Sequence, residues 1–460
     1  MSFIPQLGNP MNLTETLSKF VVQSQIEDFP DEVIETSKKC FLDWIGVAIG
    51  GMKDPSVEML VNLIKEIGGK KQARILGYGM KTSILNAALI NGIMSHILDY
   101  DDAHSESRSH PSSPLIPALL SMAEYKKTRG RDLITAFVVG FEVGTRIGLG
   151  LGKTYYERGW HATSILGRLG SAAGVGKLLK LNEKQLARAI GLAATQAGGL
   201  RRVFGTMGKP FHAGKASMDG MLSALLASRG FSAPEDVLDG KSNFLEIFSG
   251  GYDPNRITQG LGIEYQVLKD SFKPYAACLL IHPAIDGLIW MRKQGGFELD
   301  SVDQIDLEVS PLCMTVTDNP DPKNGLDGKF SIYFCAALAL AEGRVQEGQF
   351  TQEKIKDRRV RDFMRKIKVL GVDSLKETEA HVVIKLKDGT QWDRRVLTPK
   401  GDPENPMSFD EISYKFRSLA QDLLSGRQMD QIIHVVHNLE RIEEPSTLLK
   451  LCCVKKIDRQ

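Results

Sequence analysis

The chain has 460 residues, 42% of them hydrophobic and 25% charged, a globular balance that excludes disorder, collagen and coiled-coil fibre as descriptions of the whole. At that length two domains are the expectation. Lys and Arg total 58 against 56 Asp and Glu, a net +2, so no charge surplus asks for a nucleic acid or an anionic membrane surface.

Apolar stretches such as Trp44–Met52 reach about half of the ~20 residues that a membrane span needs. The N-terminal run MSFIPQLGNPMNLTETLSKF has neither a basic-then-apolar signal pattern nor an Arg-rich transit pattern. Six cysteines (Cys40, Cys278, Cys313, Cys335, Cys452, Cys453) show no C-x-x-C spacing, which argues against a zinc site, an iron–sulfur cluster or a disulfide scaffold. The expectation is a cytoplasmic protein with no membrane and no nucleic-acid partner.

In chain order, helix comes first. After Pro30, the positions Val33, Ser37, Cys40/Phe41, Trp44 and Ala48 recur at three and four, which predicts one helix face. Asp28 or the Asp31/Glu32 pair suits its positive end, and Gly50-Gly51 ends it. A second helix is predicted to start near Ser113-Pro114 and to run through Leu119, Leu120 and Ala123 to a basic turn at 126–131. From Thr135 to Ala197 glycines recur at three and four (140, 144, 148; 167, 170, 174). No G-x-x-x-x-G-K-[ST] or G-x-G-x-x-G is present, so the spacing favours close helix–helix packing over a phosphate loop.

Near residue 300 the period changes. Ile305, Leu307 and Val309 alternate with polar neighbours, as do Val382, Ile384 and Leu386, which precede an Asp388-Gly389 turn and a return strand through Trp392. Helical segments are predicted between them at 329–340 and 353–368, and again in the tail at 409–423 and 429–439. The fold class is therefore mostly α with a smaller α+β domain. The helical domain spans 1–268 and 401–460, and an inserted α+β domain spans 269–400.

Four stretches could carry chemistry. Ser95–Pro114, SHILDYDDAHSESRSHPSSP, holds Asp99, Asp101 and Asp102, three of the nine histidines (His96, His104, His110), and five serines after His96. A solvated connecting loop, a binding loop or a carboxylate–histidine metal site are all compatible with this composition. His161, in RGWHATS, precedes a small-residue helix, where it suits either a cap or a neutral acid/base group. Residues 201–215 interleave Arg201, Arg202, Lys209, His212 and Lys215 with glycines, as an anion pocket would. Lys273, ahead of a proline, is held extended. His282, by contrast, reads as a helix cap.

These stretches, in this order, resemble the MmgE/PrpD family of 2-methylcitrate dehydratases, cis-aconitate decarboxylases and iminodisuccinate epimerases. The matching phrases are LDWIGVAIGG (42–51), HILDYDDAHSESRSHPSSPLIPALL (96–120), GWHATSILGRLGSAAGVGKLL (159–179), GTMGKPFHAGKAS (205–217), FKPYAACLLIHPAID (272–286), GLDGKFSIYFCAALAL (325–340) and KFRSLA (415–420). The resemblance implies a homodimer and a cleft that takes a small polycarboxylate with no cofactor and no metal. It carries catalytic roles to Asp99, His110, His161 and Lys209, and substrate binding to Lys273, His212 and Thr206. Where the decarboxylases have a threonine and a histidine, this chain has Ala103 and Cys278, and their tyrosine is missing near 316–320. The implied reaction is loss of water from a citrate-like acid; epimerisation or decarboxylation of a related polycarboxylate, or carboxylate binding without catalysis, are the alternatives.

Overall fold

The computed structural model describes residues 12–454; the first eleven residues of the stretch read for targeting signals lie outside them. The chain divides into two compact units, Met1–Ser271 with Ser408–Gln460, and Phe272–Met407.

The larger unit is helical. Asp31–Gly51 forms the first long helix, with both acids of its first turn in place. Its predicted face is buried, and from Cys40 to Ile49 so is every other side, because neighbouring helices surround that half. Ser112–Lys126 follows the Ser-Pro signal and ends where Lys127 turns left-handed, at φ 55°. The glycine-rich region becomes Gly130–Leu151, Ala162–Leu178 and Glu183–Thr195. A Cβ on Gly140 would lie 2.8 Å from the Gly170 carbonyl oxygen, and one on Gly170 2.7 Å from that of Gly140. These glycines lie inside the helices and serve backbone contact between them.

Gly130–Leu151 exceeds the apolar lengths read from the sequence: it is long and apolar enough to cross a membrane, yet its apolar stretch is entirely buried within the fold. Arg146 on it bonds Glu142 at 2.7 Å and the Gln259 carbonyl at 2.7 Å. The tail helices Phe409–Ala420 and Gly426–His437 belong to this unit. Lys415 reaches Asp43 at 2.6 Å and donates to the Tyr100 carbonyl at 2.6 Å, fixing the start of the histidine-bearing loop.

The smaller unit holds a four-stranded sheet in the order Ile367–Gly371, Val302–Val309, Ala380–Leu386, Gln391–Val396. The first pair is parallel and the others antiparallel. Ile305, Leu307, Val309, Val382 and Ile384 share one core with the helices His282–Gln294 and Ile332–Glu342. Two sequence expectations differ. The 329–340 helix is split: a short Gly325–Lys329 helix ends, and the Ser331 hydroxyl then caps Ile332–Glu342. The 353–368 helix is broken by Asp357, whose carboxylate caps Arg358–Met364, and Ile367–Gly371 is a strand. A side-chain cap competes with helix continuation, and pairing with Val302–Val309 outweighs local propensity.

The glycine contacts give a stability test. Gly170→Val should cost roughly 1–3 kcal/mol through overpacking, seen as a lower urea midpoint; an unchanged midpoint would show that the two helices do not need this approach.

Candidate active site

The larger unit gathers four imidazoles, two carboxylates and an ammonium at the ends of three helices. Ile84–His96 ends in His96, and Gly208–Ala227 begins just before Lys209 and His212. These two helices touch backbone to backbone, since a Cβ on Gly214 would lie 2.2 Å from the Leu89 carbonyl oxygen. Only that closeness lets Lys209 Nζ reach Asp99 Oδ1, at 2.6 Å. Asp99 sits just past the first helix in a left-handed conformation, φ 53°, which Asp tolerates better than most residues. The third helix, Ala162–Leu178, starts at His161.

His161 holds the cap position, but its side chain makes no capping bond; its backbone N–H donates to the Gly199 carbonyl at 2.9 Å. The imidazole is thus left for other work. Its Nδ1 lies 3.0 Å from Nδ1 of His212. Burial, then the neighbouring His96, Lys209, His212 and His110, hold His161 well below the usual histidine range. Burial and Arg168 lower His212 as well. Two neutral rings joined Nδ1 to Nδ1 contain one proton in the contact, so their tautomers are opposite. The donor ring carries a free lone pair on Nε2, and the acceptor ring carries N–H there. The pair presents one proton acceptor and one donor.

Asp101, 1% exposed, binds the other two rings. Its Oδ2 accepts from His96 Nδ1 at 2.8 Å and from the Ser113 hydroxyl at 2.6 Å, and lies 3.3 Å from His110 Nδ1. His110 Nδ1 also meets the Asp102 carbonyl at 2.7 Å. A carbonyl only accepts, so His110 carries its proton on Nδ1 and has its lone pair on Nε2. Burial works against the charge on Asp101, but His110 and His96 together hold its carboxyl well below the usual range. Burial pushes His96 down to about 4, outweighing the pull of Asp101. The rings form a row: His110 to His96 at 4.8 Å between centroids, His96 stacked on His161 at 5.8 Å, and His161 to His212 at 5.2 Å.

Lys209 loses charge stability by burial, yet Asp99 and then Asp101 carry it above the ordinary lysine value. It is a permanent cation with a carboxylate already on it. Arg201 stacks on Tyr156 at 3.9 Å and Lys215 binds Asp219, while the charge of Lys209 acts on His161 and His96. Thr206 is exposed, and its hydroxyl donates to the Val203 carbonyl at 2.7 Å while accepting from Gly208 N–H at 3.1 Å. Lys273 is buried in the smaller unit. His282 opens its helix there, its Nε2 donating to the Ala277 carbonyl at 3.1 Å.

Two groups have ligand-type atoms within 4.8 Å of one another: His96, Asp101 and His110, and Cys40, Asp102 and Asp270. In the first, the atoms concerned are the Nδ1–H donors and their carboxylate acceptor.

Sequence reading leaves out the pairing role of Asp101 and the presence of His96 in the row, although both fall in the singled-out loop. It misses Arg168 altogether. That guanidinium binds Asp219 at 2.9 Å and the carbonyls of Ser164 and Gly198 at 2.6 and 3.0 Å, bracing the loop on which His161 rests. One arginine among small residues gives no sequence signal for this.

The MmgE/PrpD N-terminal domain matches residues 15–257 and the MmgE/PrpD C-terminal domain residues 275–441. The chain belongs to the MmgE/PrpD family. Among its relatives, a cis-aconitate decarboxylase of Aspergillus terreus is 28% identical over 93% of this chain and 94% of its own length. A cis-aconitate decarboxylase of Mus musculus is 27% identical over 96% and 93%. A mitochondrial 2-methylcitrate dehydratase of Yarrowia lipolytica is 24% identical over 78% and 74%. Within this MmgE/PrpD chain, the row of imidazoles is built from three of the phrases that carried the resemblance.

The buried rings set a pH dependence. His96 binds a proton near pH 4 when folded and near 6.5 when unfolded, so between those values the unfolded state holds more protons. Stability should fall as pH drops from about 6.5 to 4, by on the order of 3 kcal/mol from this ring. His96→Asn keeps a donor toward Asp101 without the titration. Its denaturation midpoint should vary less over that window; an unchanged slope would remove His96 as the source.

Proposed function

We propose that this chain is a lyase that removes water from a citrate-like di- or tricarboxylic acid, with 2-methylcitrate the leading candidate. The observation that supports this best is the His161–His212 contact, one acceptor and one donor for protons, beside the Lys209 ammonium. Taking a proton from carbon next to a carboxylate builds an enolate-like dianion that needs donors and cations around it. At ~4 Å and an effective dielectric of ~20, an ammonium and a unit negative charge attract by about 4 kcal/mol before desolvation. A positioned acid or base adds typically ~10²–10⁴ in rate.

In this reading the lone-pair ring of the His161–His212 pair takes the proton from carbon. His110, its Nδ1–H fixed by Asp101 and the Asp102 carbonyl, takes up a solvent proton on Nε2 before the reaction and gives it to the departing hydroxyl, while the proton removed from carbon returns from the paired ring to solvent. Asp99 holds Lys209 extended, and the arriving carboxylate takes over part of that ammonium. Thr206 and Lys273 enter as substrate-binding groups on the motif match, as does the homodimer, which light scattering tests directly. A second reading, decarboxylation, is favoured by the named cis-aconitate decarboxylases that align with nearly the whole chain; Ala103 and Cys278 count against it.

One proton-NMR time course in D₂O over 2-methylcitrate, citrate, cis-aconitate and iminodisuccinate separates the readings. Dehydration gives a vinyl or conjugated product, decarboxylation releases carbon dioxide from cis-aconitate, and epimerisation gives deuterium exchange alone. Binding without any turnover would sink the enzymatic proposal. On whichever acid turns over, His161→Ala should lose at least ~10²-fold in kcat. Lys209→Met should lose ~10²–10³-fold in kcat/KM, while its far-ultraviolet spectrum stays unchanged.

A further inference from the structure

Behind the histidine row lies a second pair of carboxylates that the proposed mechanism does not use. Asp102 and Asp270 are 1% and 4% exposed, and they bring a carboxylate oxygen each within 4.8 Å of the other. Ionised carboxylates only accept. With both charged, the two oxygens of Asp102 and Oδ1 of Asp270 are buried with no donor. Two buried carboxylates this close repel when both are charged, and one shared proton relieves that.

The setting favours keeping it. Cys40 Sγ faces Asp270 Oδ2 at 3.8 Å. Charged groups acting on the pair include Asp43 and Asp101. Asp43 is already taken by Lys415, and Asp101 by its histidines. The Ser112 hydroxyl faces Asp102 as well. Burial, aided by the charges of Asp101 and Asp43 and opposed by Asp270 and the Ser112 hydroxyl, pushes Asp102 up to about 6; burial, Asp102 and Asp43, opposed by Cys40, push Asp270 well above the ordinary range. The pair therefore holds a proton well above the ordinary carboxylate range.

The pair also has leverage. The Asp102 main-chain carbonyl fixes His110 Nδ1, and the next residue, Ala103, exchanges backbone hydrogen bonds of 2.9 and 3.0 Å with Ser271, the neighbour of Asp270. We propose that Asp102 and Asp270 share one proton and act together as positioning residues, clamping the strand-like contact at 103 and 271 so that the Asp102 carbonyl holds His110 in its working tautomer. The importance of His110 rests on the function proposed above; the shared proton does not.

Loss of that proton places two like charges side by side, so the clamp weakens as pH rises through its titration, by tenfold in population per pH unit for a single proton. Asp270→Asn supplies a permanent N–H donor to Asp102. The experiment needs no substrate: imidazole resonances of ¹⁵N-histidine-labelled protein and the thermal midpoint are followed from pH 6 to 10. For the wild type, the His110 Nδ1–H signal and the midpoint should decline together on the alkaline side. In Asp270→Asn both should hold steady over the same range. Should that variant not fold, Asp102→Asn tests the same proton from the other side. Parallel alkaline curves for wild type and variant would overturn the proposal. So would a stoichiometric divalent cation retained by the wild type and lost from Asp270→Asn, because the ion would then be the bridge. Inactivity of the wild type toward every acid tested would leave these outcomes readable.

Discussion

A carboxylate taken out of water must find donors, and the Asp101 carboxylate, 1% exposed, finds three of them on one oxygen: two imidazole N–H groups and a serine hydroxyl. An unpaired buried charge is among the most expensive features a fold can carry. The contact is therefore a constraint in both directions. It fixes which nitrogen of His96 and of His110 bears hydrogen, and it obliges the 97–112 loop to fold inward against the end of the Ile84–His96 helix.

That inward loop is possible only because the helices around it stand unusually close. Gly140 against Gly170, and Gly214 against the Leu89 carbonyl, remove the side chains that would hold the backbones apart. Each glycine costs helix stability, a cost offset by dense packing in a unit whose central helices are buried on every side. The polar row is rigid because its frame is rigid, which is the arrangement proton transfer needs.

Burial also divides the labour among like residues. Lys209 keeps its charge because Asp99 and Asp101 face it, whereas His161 and His96 stay neutral because burial outweighs any carboxylate near them. Asp101 is strongly acidic while its sequence neighbour Asp102 is a weak acid. Adjacent residues point to opposite surroundings, one toward imidazoles and the other toward a second carboxylate.

Much of this could be read from the sequence. Periodicity located the long helices, alternation and one turn located three of the four strands of the smaller unit's sheet, and the D-x-D-D run, G-W-H and the glycine-flanked Lys209 and His212 carried the family and the residues now found in one place. These signals are local: a face, a cap or a motif is written in neighbouring positions. What tertiary structure alone decided is the pairing of partners far apart in the chain. Asp99 meets Lys209 across 110 positions and His161 meets His212 across 51. Asp102 meets Asp270, and Ile367–Gly371 becomes a strand through its partner Val302–Val309. Local sequence sets which conformations a segment favours, but the protonation state and strand partner of a residue depend on what is packed against it, and that is fixed only when the whole chain closes.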